Sequence, residues 1–330
     1  MRAIREIDHG GPEVLVVSDA PQPAAGQGQV VLKVAASGIN RADVMQRRGF
    51  YPPPPGESDI YGLEVSGTVV EVGHGVPEEL LGQERVALLA SGGYAEYVAV
   101  RYDHTLPVPK GVSLVEAAGL PEVAATVYSN LVTVCGVSES ADDNAGRTLL
   151  IHGGTGGIGS HAIQLAQALG LRVLATAGSD KKCERIKQLG AEPINYRTQN
   201  FREAALELTE GRGADVILDV VGGSYLDDNL KTLAVDGSLV IIGLQGGNEG
   251  NINLGYMLSR RLSVHATSLR TRSSADKAAI VAGVGRVTWP LLESGVISPH
   301  LDRTFSLDDA AAAHTYFDSG EHAGKILLVP

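Results

Sequence analysis

"TLLIHGGTGGIGSHAIQLAQALG", residues 148–170, is the stretch on which the fold turns. Its middle, residues 152–159, holds five glycines in eight positions. Glycine this dense weakens helix and strand alike, so it demands a reason. The flanks supply one. Residues 148–151 form a continuous apolar run of the kind a buried strand carries, and Ile158, Ala162, Leu165, Ala166 and Leu169 fall on one helical face. Gly154, Gly156 and Gly159 stand in the spacing GxGxxG between that strand and that helix, which is the context a dinucleotide site requires. The glycines permit a tight turn and close backbone approach, while unpaired N–H groups at the helix N-terminus suit a pyrophosphate. Thr155, Gly157 and Ile158 lie in the same turn and share the cofactor-binding expectation. The plain alternative is a glycine-rich connector in some other α/β protein.

Outward from this stretch the chain has two textures. After about residue 122, continuous apolar runs such as "RVLATAG" (172–178), "ADVILDVVGG" (214–223), "SLVIIGLQGG" (238–247) and "LSVHATSL" (262–269) alternate with helical segments. The helices are read at 180–191, near 200–210 and at 225–234. This alternation implies a parallel sheet covered on both faces. The earlier residues instead carry short β-branched runs bounded by Gly and Pro: "QVVLKVAASG" (29–38), "VSGTVVEVG" (65–73), "ERVALLA" (84–90) and "GYAEYVAV" (93–100). They read as a compact antiparallel β unit. The ending "HAGKILLVP" (322–330) reverts to strand and is expected to rejoin that unit. The prolines of "YPPPPGES" (51–58) read as a stiff loop rather than an exposed polyproline ligand.

Composition sets the outer limits. At 330 residues the chain exceeds what one compact core usually holds, so two domains are expected. No apolar run reaches the roughly 18 residues of a membrane span, and "MRAIREIDHG" lacks the apolar segment of a signal peptide. A cytoplasmic location is expected. Cys135 and Cys183, the two cysteines, cannot build a disulfide framework and suit a reducing compartment. A net charge of −11 argues against nucleic acid or an anionic membrane as a partner.

The tip of the second parallel strand bears on which dinucleotide is bound. An NAD site normally places an acid there for the ribose 2′-hydroxyl. Here the segment is "ATAGSDKK" (175–182), where Gly178, Ser179 and Lys182 offer backbone N–H, hydroxyl and ammonium donors to a 2′-phosphate. NADPH is therefore expected. Asp180 is the awkward residue: it is either a displaced ribose acid or the N-cap of the following helix.

With this glycine loop behind a β-rich first domain, the chain resembles the medium-chain dehydrogenase/reductase superfamily, and within it the zinc-independent quinone oxidoreductases. The stretches that carry the resemblance are "SGINRADVMQRRGFYPPPPG" (37–56), "YGLEVSGTVVEVG" (61–73), "GGYAEYVAV" (92–100), "HGGTGGIGSHAIQLAQALG" and "HAGKILLVP". They span essentially the whole chain. The resemblance implies an α/β architecture with a GroES-like β-rich catalytic domain (1–122 and 298–330) and a Rossmann doubly wound parallel-sheet domain (123–297) that binds NADPH. It also suggests a homodimer, and "LSVHATSL" as the last strand of the Rossmann sheet would supply the edge for pairing.

Zinc-dependent relatives carry a cysteine after the first strands and a "GHE" segment; Asn40 and Leu63 stand at those places here, and no cysteine precedes Cys135. A tetrahedral zinc site needs three or four Cys, His or carboxylate ligands, so no metal is expected. The resemblance places Asn40, with Asp43 in support, and Tyr51 in the catalytic site. Asn40 and Thr126 would also contact the cofactor, and Tyr128 of "TVYSNL" would approach the nicotinamide. Lys182 and Tyr196 of "PINYR" match the contacts to the 2′-phosphate, and Gly243 and Leu244 would lie beside the nicotinamide. Each has a plainer reading: a turn residue for Asn40, a helix-start acid for Asp43, an amphipathic core residue for Tyr128. Some relatives carry serine where this chain has Gly156.

Without a Lewis acid the acceptor must be intrinsically electrophilic or polarised by fixed hydrogen bonds. Quinones and conjugated enones both meet the first condition, and reduction of a small-molecule quinone by NADPH is the leading expectation. Reduction of an α,β-unsaturated carbonyl, such as an alkenal or enoyl thioester, is the enzymatic alternative, and a cofactor-binding protein with little turnover is the alternative of another class.

Overall fold

The computed structural model describes residues 1–330. By internal contacts the chain divides into Met1–Ala125 with Leu269–Pro330, and Thr126–Ser268. No helix is long and apolar enough to cross a membrane.

The N-terminal part contains β1 (Arg2–Glu6), β2 (Leu15–Asp19), β3 (Gln29–Gly38), β4 (Glu64–Val72), β5 (Glu84–Leu88), β6 (Tyr97–Arg101) and β7 (Thr105–Pro107). Helices α1 (Arg41–Arg47), α2 (Leu114–Ala117) and α3 (Pro121–Tyr128) interrupt or follow them. β3, β4, β5 and β7 pair antiparallel in sequence, and β6 pairs with β3. Val30, Leu32, Val34, Val65, Val69 and Val98 pack into one core on this sheet. They are the β-branched and aliphatic positions that suit a pleated surface.

Thr126–Ser268 holds the parallel sheet: β8 (Thr148–Ile151), β9 (Arg172–Ala177), β10 (Glu192–Asn195), β11 (Ala214–Asp219), β12 (Leu233–Ile241) and β13 (Ser263–Ala266). Its order is β10-β9-β8-β11-β12-β13. Order reverses between β8 and β11, the switch point at which doubly wound sheets bind ligands. The crossovers carry α4 (Gly157–Ala168), α5 (Asp180–Gln188), α6 (Phe201–Leu208), α7 (Leu226–Thr232) and α8 (Leu254–Arg260). All four residues of β8 are buried, as its apolar run requires. β13, within the segment read as the last strand, is the sheet's edge.

The chain then forms α9 (Ser274–Glu293), β14 (Leu301–Ser306), α10 (Ala310–Ser319) and β15 (Lys325–Val329). β15 pairs antiparallel with the end of β3 and parallel with β14, so the C-terminal segment does rejoin the first sheet. The domain boundary differs from the expected one after 297, because α9 groups with the first unit. His104 bonds the Ser274 carbonyl at 2.9 Å, and the Trp289 indole donates to the Pro107 carbonyl at 2.7 Å.

Candidate active site

The glycine turn takes its shape from packing at three positions. Gly153 has φ +78°, a left-handed conformation that side chains disfavour. A Cβ on Gly154 would lie 2.7 Å from the Ala175 Cβ, and one on Gly159 would lie 2.2 Å from the Gly153 carbonyl oxygen. Gly156 differs, because a Cβ there would meet nothing nearer than 3.7 Å. Gly156 is also the N-cap of α4 and gives it no side-chain cap. The first-turn N–H groups of a twelve-residue helix thus face a turn kept clear of side chains, which suits a pyrophosphate.

Behind the turn, three strand ends are tied together. Asp219, at the end of β11, accepts bonds from Val221 N (2.6 Å), Gly222 N (3.0 Å) and the Asn229 amide (3.1 Å). With its NH₂ committed to Asp219, Asn229 presents its oxygen to His152 Nε2 at 2.7 Å, so that nitrogen carries the imidazole proton. His152 Nδ1 then accepts from the Thr176 hydroxyl (3.2 Å), which itself accepts from Gly153 N (3.2 Å). Burial holds His152 below the usual histidine range, consistent with a neutral ring. Sequence reasoning marks none of these residues as part of the site. Asp219, an acid ending the apolar run "ADVILD", is the one visible signal.

At the tip of β9, Ser179 rather than Asp180 is the N-cap of α5, its hydroxyl accepting from Lys182 N at 3.3 Å. Asp180 is the first helical residue, and one of its oxygens accepts the Asn195 amide at 2.7 Å. Tyr196 and Gly178 are brought together: a Cβ on Gly178 would lie 2.5 Å from the Tyr196 hydroxyl. Arg197, which sequence reasoning passes over, stands 5.8 Å from the Tyr196 ring centroid. Gly243 packs against the Val220 carbonyl and Leu244 is exposed. Thr126 and Tyr128 are buried, and the Tyr128 hydroxyl donates to Glu139 at 2.7 Å.

In the first unit, Asn40 ends the turn from β3 into α1. Its amide donates to the Gly38 carbonyl (3.3 Å) and Glu64 Oε1 (3.0 Å), and its oxygen accepts from Lys325 Nζ (2.8 Å). Lys325 also donates to the Ile39 carbonyl (3.0 Å) and pairs with Glu64 at 2.5 Å. Glu64 uses its second oxygen to accept Glu122 N at 2.8 Å. Both amide protons of Asn40 are thereby used inside the protein. Asn40 is thus a buried joint between β3, β4 and β15.

Asp43 is fully buried and caps α1 by accepting Asn40 N at 2.7 Å. Its carboxyl is pushed up to about 6 by burial, against the pull of that N–H, Lys325 and the Tyr94 hydroxyl. Tyr94 bridges Asp43 (3.1 Å) and His314 Nε2 (3.2 Å). Burial and the Arg47 charge drive His314 down to about 3, so it is neutral. Glu122 is raised to about 8, first by burial and then by the Glu64 charge.

Tyr51 is half-buried, with its backbone carbonyl and ring held by Arg270. It is the one expected catalytic side chain of this unit that is neither capping a helix nor locked into the Lys325 network. No group of three or more His, Cys, Asp or Glu side chains is gathered so as to hold a metal ion.

Comparison with known proteins matches this arrangement throughout the chain. Residues 26–110 match the family described as alcohol dehydrogenase GroES-like domain, and residues 157–282 match the family described as zinc-binding dehydrogenase. The quinone oxidoreductase of Rattus norvegicus is 32% identical over 100% of this chain and 98% of its own. The crystal structure of Escherichia coli quinone oxidoreductase complexed with NADPH superposes with a TM-score of 0.88 at 30% identity, covering 100% of both chains. The CurK enoyl reductase superposes with a TM-score of 0.85 at 25% identity, covering 99% of this chain and 98% of that one.

Proposed function

The chain belongs to the zinc-independent quinone oxidoreductase family of the medium-chain dehydrogenase/reductase superfamily, and from that premise we propose that it reduces quinones with NADPH and without a metal. The observation that carries this reading is the state of the polar groups around Asn40. Asn40, Glu64, Asp43 and Lys325 are buried and bonded to one another, so they offer little to a carbonyl that needs strong polarisation. An acceptor that is electrophilic by itself needs little help, and a quinone delocalises the charge it receives. The metal-independent reading rests on Asn40 and Leu63, which stand where zinc-dependent relatives carry ligands. We further read the protein as a cytoplasmic homodimer, its β13 edge and the exposed Leu254 and Leu258 of α8 being the surface a second copy would cover.

When bound, NADPH supplies the hydride. Residues 153–159 and the N-terminus of α4 would receive its pyrophosphate, and Ser179, Lys182, Tyr196 and Arg197 its 2′-phosphate. Charge-assisted bonds contribute roughly 1.5–3 kcal/mol each, on the order of 10- to 100-fold in affinity. Lys182→Ala should therefore weaken NADPH by that factor and leave NADH nearly unchanged, as titration of both cofactors would show. Equal affinity of the native protein for the two would overturn the assignment.

Tyr51 is the donor assigned to the acceptor oxygen. Losing one donor to a developing oxyanion costs on the order of 10²-fold or more. Tyr51→Phe should approach that loss on an enone, where charge localises on one oxygen, and lose less on a quinone. The test is kcat/KM of both proteins on a panel of quinones, enals and enoyl thioesters, with NADPH affinity measured alongside. Preference of the native protein for enoyl thioesters would favour the enoyl reductase reading, and no turnover on any of them would favour a cofactor-binding protein.

A further inference from the structure

Arg270 lies just past the end of the parallel-sheet unit, and its side chain is buried among the loops of the first unit. Each nitrogen of its guanidinium is used. Nε donates to the Ala90 carbonyl (2.7 Å), one Nη to the Tyr51 carbonyl (2.9 Å), and the other to Gln46 Oε1 (2.8 Å). The same guanidinium stands 5.2 Å from the Tyr51 ring centroid. Its own backbone is pinned in turn, since Lys277 Nζ donates to the Arg270 carbonyl at 2.8 Å.

Two features set this apart from ordinary packing. Burying a guanidinium is expensive, and these three bonds all go to neutral oxygens, so the charge is desolvated without a carboxylate in direct contact. Secondly, one residue is gripped twice, by its carbonyl and by its ring. The backbone bond fixes where the loop lies, and the cation on the ring selects one position of the phenol.

We propose that Arg270 is the positioning residue for Tyr51: it sets the phenol in the orientation from which it donates to the acceptor, with Gln46 and Ala90 fixing the guanidinium itself. This rests on the assignment of Tyr51 as that donor. The fork of donors is what the site uses, so lysine, which keeps the charge but not the planar geometry, is not an equivalent replacement.

A double-mutant cycle separates this role from a merely structural one. Arg270→Lys should lower kcat/KM on an enone by about 10-fold or more when Tyr51 is present, within the range of coupling between contacting residues. In the Tyr51→Phe background it should add almost nothing, because there is no hydroxyl left to aim. NADPH affinity should be the same in all four proteins. Gln46→Leu, which removes one partner of the fork and leaves Arg270 in place, should show a smaller loss with the same dependence on the hydroxyl, and it serves if Arg270→Lys fails to fold. Equal losses in the native and Tyr51→Phe backgrounds would overturn the positioning role while leaving Tyr51 as donor. No loss from Tyr51→Phe alone would overturn the Tyr51 assignment and this inference with it.

Discussion

Lys325→Met is expected to destabilise the protein by about 3–5 kcal/mol, the usual consequence of removing one partner from a buried ion pair. Glu64 has no exposure, and Lys325 is only 7% exposed. Two glycines clear space for them: a Cβ on Gly38 would overlap the Glu64 carboxylate, and one on Gly119 would lie 3.1 Å from Lys325 Cγ. Methionine fills much of the lysine volume but leaves the Ile39 carbonyl and the Asn40 oxygen without the ammonium donor. It also leaves Glu64 without its counter-charge, with only the Asn40 amide and Glu122 N donating to it. Lys325 also opposes the upward shifts of Asp43 and Glu122. A carboxyl raised in the folded state is protonated there, so its penalty is absent at low pH and grows as pH rises toward its folded value. Removing Lys325 raises both further, so the added deficit is absent below about pH 6, appears as pH rises through the Asp43 value of about 6, and grows again above the Glu122 value of about 8. Urea unfolding across that range is the measurement. A loss below about 1 kcal/mol at every pH would mean that the pair is exposed and screened, as surface pairs are. Replacing Glu64 as well, by glutamine, should recover part of the loss, since no buried charge is then left unpaired.

Gly159→Ala is expected to abolish the response to NADPH. The new methyl would sit 2.2 Å from the Gly153 carbonyl oxygen and 2.8 Å from Gly154 Cα, both backbone atoms that cannot turn aside. Overpacking of this kind typically costs about 1–3 kcal/mol, and relief requires the turn to open where the pyrophosphate would bind. At a hundredfold excess over Kd, a ligand specific for the folded state adds about 2.7 kcal/mol, which is read as a rise in Tm. That rise should be present in the native protein and absent in Gly159→Ala. Gly156→Ala is the control that isolates the ligand. Its methyl meets no protein atom within 3.7 Å, so the fold should be unaffected, and only an occupant of the turn would oppose it. An unchanged NADPH-induced rise in Gly159→Ala would remove the glycine turn from the cofactor site.

Much of this molecule is legible along the chain, for a physical reason. The glycine turn, the apolar run of β8 and the face of α4 are local patterns, and a strand–turn–helix unit needs only neighbours in sequence to declare itself. Ser179, Lys182 and Tyr196 belong to the same local pattern, although the N-cap of α5 falls on Ser179, one residue before Asp180. α9 has no such local signature: it is only weakly amphipathic, carries Pro290 in its interior and buries Lys277. Its grouping with the first unit rests on contacts with residues far earlier in the chain.

The sequence by itself determined the two-part α/β architecture, the family and the dinucleotide turn, because each is carried by residues close together in the chain. Tertiary structure alone decided what the polar side chains of the first unit do. Asn40 meets Lys325 across 285 positions and Arg270 meets the Tyr51 carbonyl across 219. A carboxamide's few hydrogen-bonding groups can be spent inside the protein or offered to a ligand, and no local pattern records which. Once β15 brings Lys325 beside Glu64, both protons of Asn40 are committed, and Tyr51, held by Arg270, becomes the side chain to which the chemistry is assigned.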